Sequence, residues 1–284
     1  MPRDLYDCTA GELATSPVEH LPADTAPSDA ATWLAENGYD AAPVYRDGDP
    51  VGFVHEDDVT ADATGTLEDA LTPLTITHMI SGDAAFPAVL DALTEHTAYF
   101  LGGHNHVSGV LTRADLNTAP ARIYLFDRIT YLEEHLRELV LAEAPNWKRT
   151  SVTVGELDAI EERHEEARAA NVALSEIHYA QFSTLATIVT DVEACWRACG
   201  FSKKGTADSR LHAVTELRND VAHATLLVEN TDSDDFLNSG RTTENLREVL
   251  DTITRILASL RDAGYDPDPS GSPSRPLDES GAGT

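Results

Sequence analysis

Gly38-Tyr39-Asp40-Ala41-Ala42-Pro43-Val44-Tyr45, followed by Asp49-Pro50-Val51-Gly52-Phe53-Val54-His55-Glu56-Asp57-Asp58-Val59, sets the architecture of the first half of the chain. Ala41 to Tyr45 is a short apolar run, Asp47-Gly48-Asp49 supplies residues that tolerate positive φ, and Val51 to Val54 is a second apolar run. Two such runs around such a turn predict a β-hairpin. Upstream, Ser28 to Asn37 has helical character, with Ser28 or Asp29 as cap and Gly38 as stop. Downstream, His55 is expected to open a further helix.

The same plan recurs about 57 positions later. Asp83 is expected to cap a helix through Phe86, Val89, Leu90 and Leu93. Thr97 to Leu101 reads as a strand, Gly103-His104-Asn105 as a turn, Val107 to Leu111 as the return strand, and Thr112 as the start of a short helix. Gly52 matches Gly109, and Asp58 matches Asp115. One unit cannot bury both faces of so small a sheet; two packed together can.

These residues resemble a CBS module, and Gly109-Val110-Leu111-Thr112-Arg113-Ala114-Asp115-Leu116 resembles that family's Gly-apolar-x-Thr-x-x-Asp ending. The resemblance covers residues 12–118, as repeats 12–62 and 65–118. It implies a pair that binds an adenine nucleotide (AMP, ADP or ATP) as a regulatory ligand. The implied nucleotide-binding residues are Thr112, Arg113, Asp115 and Asp58. Thr112 would stand at a helix N-terminus, which favours phosphate. Asp115 can accept hydrogen bonds from ribose hydroxyls, and Arg113 is one of three basic residues in this half. His55 replaces the Ser/Thr in the first repeat, so one competent site is expected. The plainer alternative makes Thr112 only an N-cap and Asp115 only a surface residue. His104 and His106 raise a metal reading, against that of a polar exposed hairpin.

From Ile123 the period becomes helical. Leu125, Ile129, Leu132, Leu136, Leu139 and Val140 form one stripe, and Pro145 stops it. Further helices are expected over Val154–Ala170, Asn171–Cys199, from Asp208 or Ser209 to Val228, and over Asn245–Leu260. Leu217-Arg218-Asn219-Asp220-Val221-Ala222-His223, with the first-helix segment Tyr131 to Val140, is similar to the HEPN superfamily over residues 122–262. The resemblance implies a metal-independent endoribonuclease site of Arg218, Asn219 and His223, working in a homodimer. A neutral His can take a proton from a ribose 2′-OH, and an Arg can stabilise charge on the phosphate. A silent binding or dimerisation module is the alternative.

The chain holds 20 Lys+Arg against 49 Asp+Glu, for a net charge of −29. The acidic residues are dispersed, and only Lys148, Lys203 and Lys204 are lysines. That pattern fits solubility in high salt, against a rival reading as a polyanion mimic. Residues 1–120 carry 3 basic and 20 acidic side chains, whereas residues 121–262 carry 16 and 25. Any nucleic-acid contact therefore belongs to the second half. Three cysteines, Cys8, Cys195 and Cys199, give no paired disulfide framework, and packing rather than metal binding explains them. With no apolar run of membrane length and no signal pattern at the start, a cytoplasmic protein without a membrane segment is expected. Residues 263–284, rich in Pro, Ser, Gly and Asp, are expected to be disordered.

The combined expectation is an α+β chain, tandem CBS-like α/β modules followed by an all-α HEPN-like bundle. A nucleotide-sensing pair would control RNA cleavage, with no cofactor or metal required. The alternative is a non-enzymatic regulator whose helical part dimerises or binds RNA or a protein partner. An antitoxin-like protein is a further possible partner.

Overall fold

The computed structural model describes residues 6–60, 63–103, 106–229 and 241–265. The chain divides into two compact units. One holds Tyr6–Tyr124 with Leu226–Arg247; the other holds Leu125–Thr225 with the described residues from Glu248 onward.

The first unit contains α1 (Ala10–Leu13), β1 (Leu21–Pro22), α2 (Pro27–Asn37), β2 (Ala41–Arg46), β3 (Asp49–His55), α3 (Leu67–Ala70), β4 (Thr72–Pro73), β5 (Met79–Ile80), α4 (Phe86–Glu95), β6 (Ala98–Gly102) and β7 (Val107–Thr112). Two sheets form, ordered β1-β2-β3-β4 and β5-β6-β7. In each, the first strand runs parallel to the second, and the next two make an antiparallel hairpin. Asp47 (φ 54°) and Gly48 (φ 91°) make the tight turn expected between β2 and β3. The repeat extends to register. Val44 faces Gly52 and Leu101 faces Gly109; Ala41 faces His55 and Ala98 faces Thr112.

The repeats also exchange their opening segments. Thr72 of β4 pairs with Phe53 of β3, and Thr15, just after α1, bridges Val110 of β7. Each opening segment thus adds to the other repeat's sheet. Backbone bonds repeat the exchange: Ala10 N–H donates to Ala84 C=O, and Leu67 N–H to Thr25 C=O. Phe53 and Phe100, with ring centroids 5.0 Å apart, pack the two sheets together alongside Ala41, Ala98 and Val107. A second core of Leu21, Leu34, Val44, Val54 and Leu67 lies under α2.

Several caps differ from expectation. α2 starts at Pro27 after Ala26, and α4 starts at Phe86 after Ala85, with Pro87 in its first turn. Proline, whose fixed φ suits a first turn, sets both starts; Ser28, Asp29 and Asp83 do not. The helix expected from His55 is a single 3₁₀ turn, Glu56–Asp58. His104 and Asn105 lie outside the described residues.

Leu226–Arg247 was expected with the helical half, yet it groups with the sheets. The Asn117 amide accounts for this: its Oδ1 accepts from Leu227 N–H (2.6 Å) and Val228 N–H (3.0 Å), and its Nδ2 donates to Val228 C=O (2.9 Å). Arg247 is ion-paired to Asp91.

The second unit is helical, and no strand follows Thr112 among the described residues. α5 (Ala119–Glu143) buries the whole predicted stripe from Leu125 to Val140. α6 (Val154–Ala169) opens on a reciprocal cap between Thr153 and Glu156. The helix expected over Asn171–Cys199 is three pieces: a 3₁₀ turn at Glu176–Tyr179, α7 (Phe182–Asp191) and α8 (Glu193–Ala198). Val192 is extended, and the Asp191 carboxylate before it accepts from Ser151 N–H and pairs with Lys204. α9 (Lys204–His223) starts four residues before Asp208 and stops at His223, short of Val228. α10 (Thr243–Asp262) buries Leu246, Leu250, Ile253, Ile256 and Leu260. Residues 266–284 lie outside the described residues. No described helix is long and apolar enough to cross a membrane.

Candidate functional site

Thr112 ends β7 and caps a 3₁₀ turn, Arg113–Asn117. Asp115, the third residue of that turn, reaches back to its cap. Its Oδ2 accepts from Thr112 N–H at 2.7 Å and from the Thr112 hydroxyl at 3.2 Å. Its Oδ1 accepts from the Thr15 hydroxyl at 3.3 Å. Thr15 comes from the exchanged segment, so this carboxylate joins the two repeats.

Asp115 is only 8% exposed. Burial pushes its carboxyl above the usual range, while the bonds from Thr112 and Thr15 pull it down and the Asp40 carboxylate adds a push upward. An acid whose pKa rises on folding holds its proton more tightly in the folded state. Stability is therefore lost as pH climbs from about 4, the ordinary carboxylate value, through the raised value. Asp115→Asn removes that dependence. The stability gap between variant and wild type is expected to shift in the variant's favour as pH rises from about 4. Urea unfolding at several pH values measures it, and a pH-independent gap would refute the assignment.

The other expected nucleotide residues divide. Arg113 is half-buried, and its Nε donates to Leu93 C=O at 3.0 Å, near the C-terminus of α4. Asp58 is exposed at the end of the matching turn. There His55 is the cap, and its Nδ1 accepts from Asp57 N–H at 3.3 Å. Thr112 and Asp115 are thus brought together, while Asp58 lacks the burial of its counterpart. The sequence reading missed Thr15 and Asp40. Thr15 lies 57 residues before Thr72 of β4, a signal that means something only once the exchange is known.

The second candidate group lies on α9. Leu211, Val214 and Leu217 are buried, Arg218 and Val221 are half-buried, and Asn219 and His223 are exposed. His223 is the last residue of the helix. The Asp220 carboxylate accepts from the Thr225 hydroxyl at 2.9 Å. The three cysteines are free and buried. Burial pushes the Cys8 and Cys195 thiols up to about 12, and Cys199 in the same direction. They stay protonated at neutral pH and serve packing. Among the described residues no three His, Cys, Asp or Glu side chains are grouped to hold a metal ion.

Residues 10–71 match the CBS domain model. The CBS match runs from α1 through α3 and stops just before β4, so it takes in the first repeat with its hairpin. Solved structures similar to the chain include CBSX2 from Arabidopsis thaliana, 19% identical over 42% of this chain and 97% of that one, with a TM-score of 0.36. CBSX2 in complex with AMP is 20% identical over 41% and 98%, with a TM-score of 0.36. The CBS domain pair of protein MJ0100, in complex with 5-methylthioadenosine and S-adenosyl-L-methionine, is 17% identical over 39% and 94%, with a TM-score of 0.35. No curated protein matches the chain.

Proposed function

We propose that the chain is a nucleotide-responsive regulator of RNA: the CBS pair binds an adenine nucleotide at Thr112 and Asp115, and the HEPN-like helical part cleaves RNA without a metal. The observation that carries the reading is the Arg218-Asn219-x-x-x-His223 group at the end of α9, with Arg218 half-buried and Asn219 and His223 exposed. His223 acts as general base and takes the proton of a ribose 2′-OH. The 2′-oxygen attacks the adjacent phosphorus as the bond from phosphorus to the 5′-oxygen breaks, and the leaving 5′-oxygen takes a proton from solvent water, giving a 2′,3′-cyclic phosphate and a free 5′-hydroxyl. Arg218 stabilises the charge that builds on the phosphate. For the sensing half, support comes from the CBS match and from the single buried carboxylate at its repeated turn. Ribose hydroxyls would take the place of the Thr15 hydroxyl on Asp115.

The experiment incubates purified protein with single-stranded RNA in EDTA, at low and molar salt, with and without AMP or ATP. Metal-free cleavage that a nucleotide alters is expected, and wild-type protein that leaves RNA intact under all conditions overturns the reading. In a thermal melt, a nucleotide about a hundredfold above its Kd should add about 2.7 kcal/mol. Asp115→Ala should abolish that gain. No shift with any of AMP, ADP or ATP would refute the sensing half.

A non-enzymatic reading has one observation in its favour. Residues 121–262 carry 25 acidic against 16 basic side chains, which opposes RNA binding at low salt. The helical part would then dimerise or hold a protein partner, and intact RNA alongside a nucleotide-dependent melt would favour it.

A further inference from the structure

α9 ends in an unusual way. Ala224, directly after His223, has φ 55° and ψ 31°, the left-handed conformation. L-residues with a Cβ avoid it, and glycine is the common solution at a helix end. Gly38 plays that part after α2, and Gly200 and Gly264 also have positive φ. The other described non-glycine residues with positive φ are Asp47 and Asn171, types whose polar side chains tolerate it. Alanine has no such compensation, so its conformation is imposed from outside.

Asp220 and Thr225 close over it. Ala224 N–H and Thr225 N–H both donate to Asp220 C=O, the second at 3.1 Å. The Thr225 hydroxyl donates to Asp220 Oδ1 at 2.9 Å. Backbone and side chain of one residue therefore close over the last turn of α9. That turn holds Val221, Ala222 and His223, so it cannot unwind without breaking both links.

We infer that the Asp220–Thr225 clasp is a positioning device for His223. The inference rests on the RNA-cleavage reading. A terminal helical residue frays, and a reacting group displaced by about 1 Å can lose about a hundredfold in rate. Unclasped, the helix would carry its exposed imidazole on that fraying turn. Clasped, the backbone that carries the ring is held as part of the helix. Asp220 thereby acquires a part in the Arg218–His223 segment without touching substrate.

Thr225→Val removes the hydroxyl at similar size, and Thr225→Ser keeps it. The test follows amide hydrogen exchange across Val221–Thr225, the NMR signals of the His223 ring, and the kcat and KM of RNA cleavage. Thr225→Val should speed exchange in that turn about tenfold, shift the ring signals and lower kcat about tenfold, with KM and the melting temperature unchanged. Thr225→Ser should restore every value. Wild-type exchange and ring signals in Thr225→Val overturn the clasp, and altered exchange with unaltered kcat overturns its positioning role. Wild-type protein that cleaves no RNA sinks the cleavage reading instead, and exchange and ring signals still decide whether the clasp holds His223.

Discussion

Gly52→Ala should destabilise the protein by about 2–3 kcal/mol, whereas Gly109→Ala, at the matching place in the other repeat, should cost less than about 1 kcal/mol. A Cβ on Gly52 would stand 2.5 Å from the Thr72 carbonyl oxygen and 2.6 Å from Leu71 Cδ1. The oxygen is backbone of β4, the strand the second repeat lends to the first sheet, so relief requires moving that strand. At Gly109 the nearest atoms are Ala14 Cβ at 3.3 Å and Leu101 Cβ at 3.5 Å. The second distance is ordinary van der Waals contact and the first is only slightly tight, so a shift of a few tenths of an ångström suffices. Alanine there also recovers some of the entropy that glycine loses in a strand, about 0.5–1 kcal/mol. Urea midpoints for both variants, with unchanged m-values, measure the contrast. Equal losses would mean that β4 does not press on Gly52 as the geometry requires.

This contrast marks the limit of what the sequence makes legible. The hairpins, and the pairing of Gly52 with Gly109, follow from short-range signals: turn residues, alternating apolar runs and a common offset. The exchange of opening segments does not, because pattern reports the state of a segment and not the sheet that receives it. The sequence does set Asp115 apart from Asp58, through Thr112 against His55, but it does not tell that one is buried and the other exposed. Burial of Asp115 is completed by Thr15, a hundred residues away in the chain. Thr-x-x-Asp itself is ambiguous, since a capping pair and a nucleotide ligand pair use the same atoms. The apolar stripe of α5 was readable because its period is local. The break at Val192 was not, since it depends on Ser151 and Lys204 meeting Asp191. The end of α9 was misplaced for a related reason. Nothing in Ala224-Thr225 announces a left-handed stop, and the bonds that close over it reach back to Asp220.

His223→Ala and Arg218→Ala should each reduce RNA cleavage by about 10²–10⁴-fold. Removal of a general base costs about that much, and removal of a charge-stabilising donor costs about 10²–10³-fold. Neither should move the melting temperature much, because His223 is exposed and Arg218 half-buried. Helical geometry adds a sharper consequence. At 3.6 residues per turn, Arg218 and His223 point ~140° apart, while Asn219 and His223 are only ~40° apart. One copy of α9 cannot readily aim both Arg218 and His223 at one phosphate, so a site built from two protomers is expected. Mixing the two inactive variants then becomes informative. If subunits exchange freely, half of the dimers are mixed, and each mixed dimer has one intact composite site. About a quarter of wild-type activity should return. A site contained within one protomer would give no recovery, since neither variant chain holds both residues. The mixture thus separates a shared site from a self-contained one even where both single variants are silent, and sizing chromatography of the same mixture shows whether exchange took place.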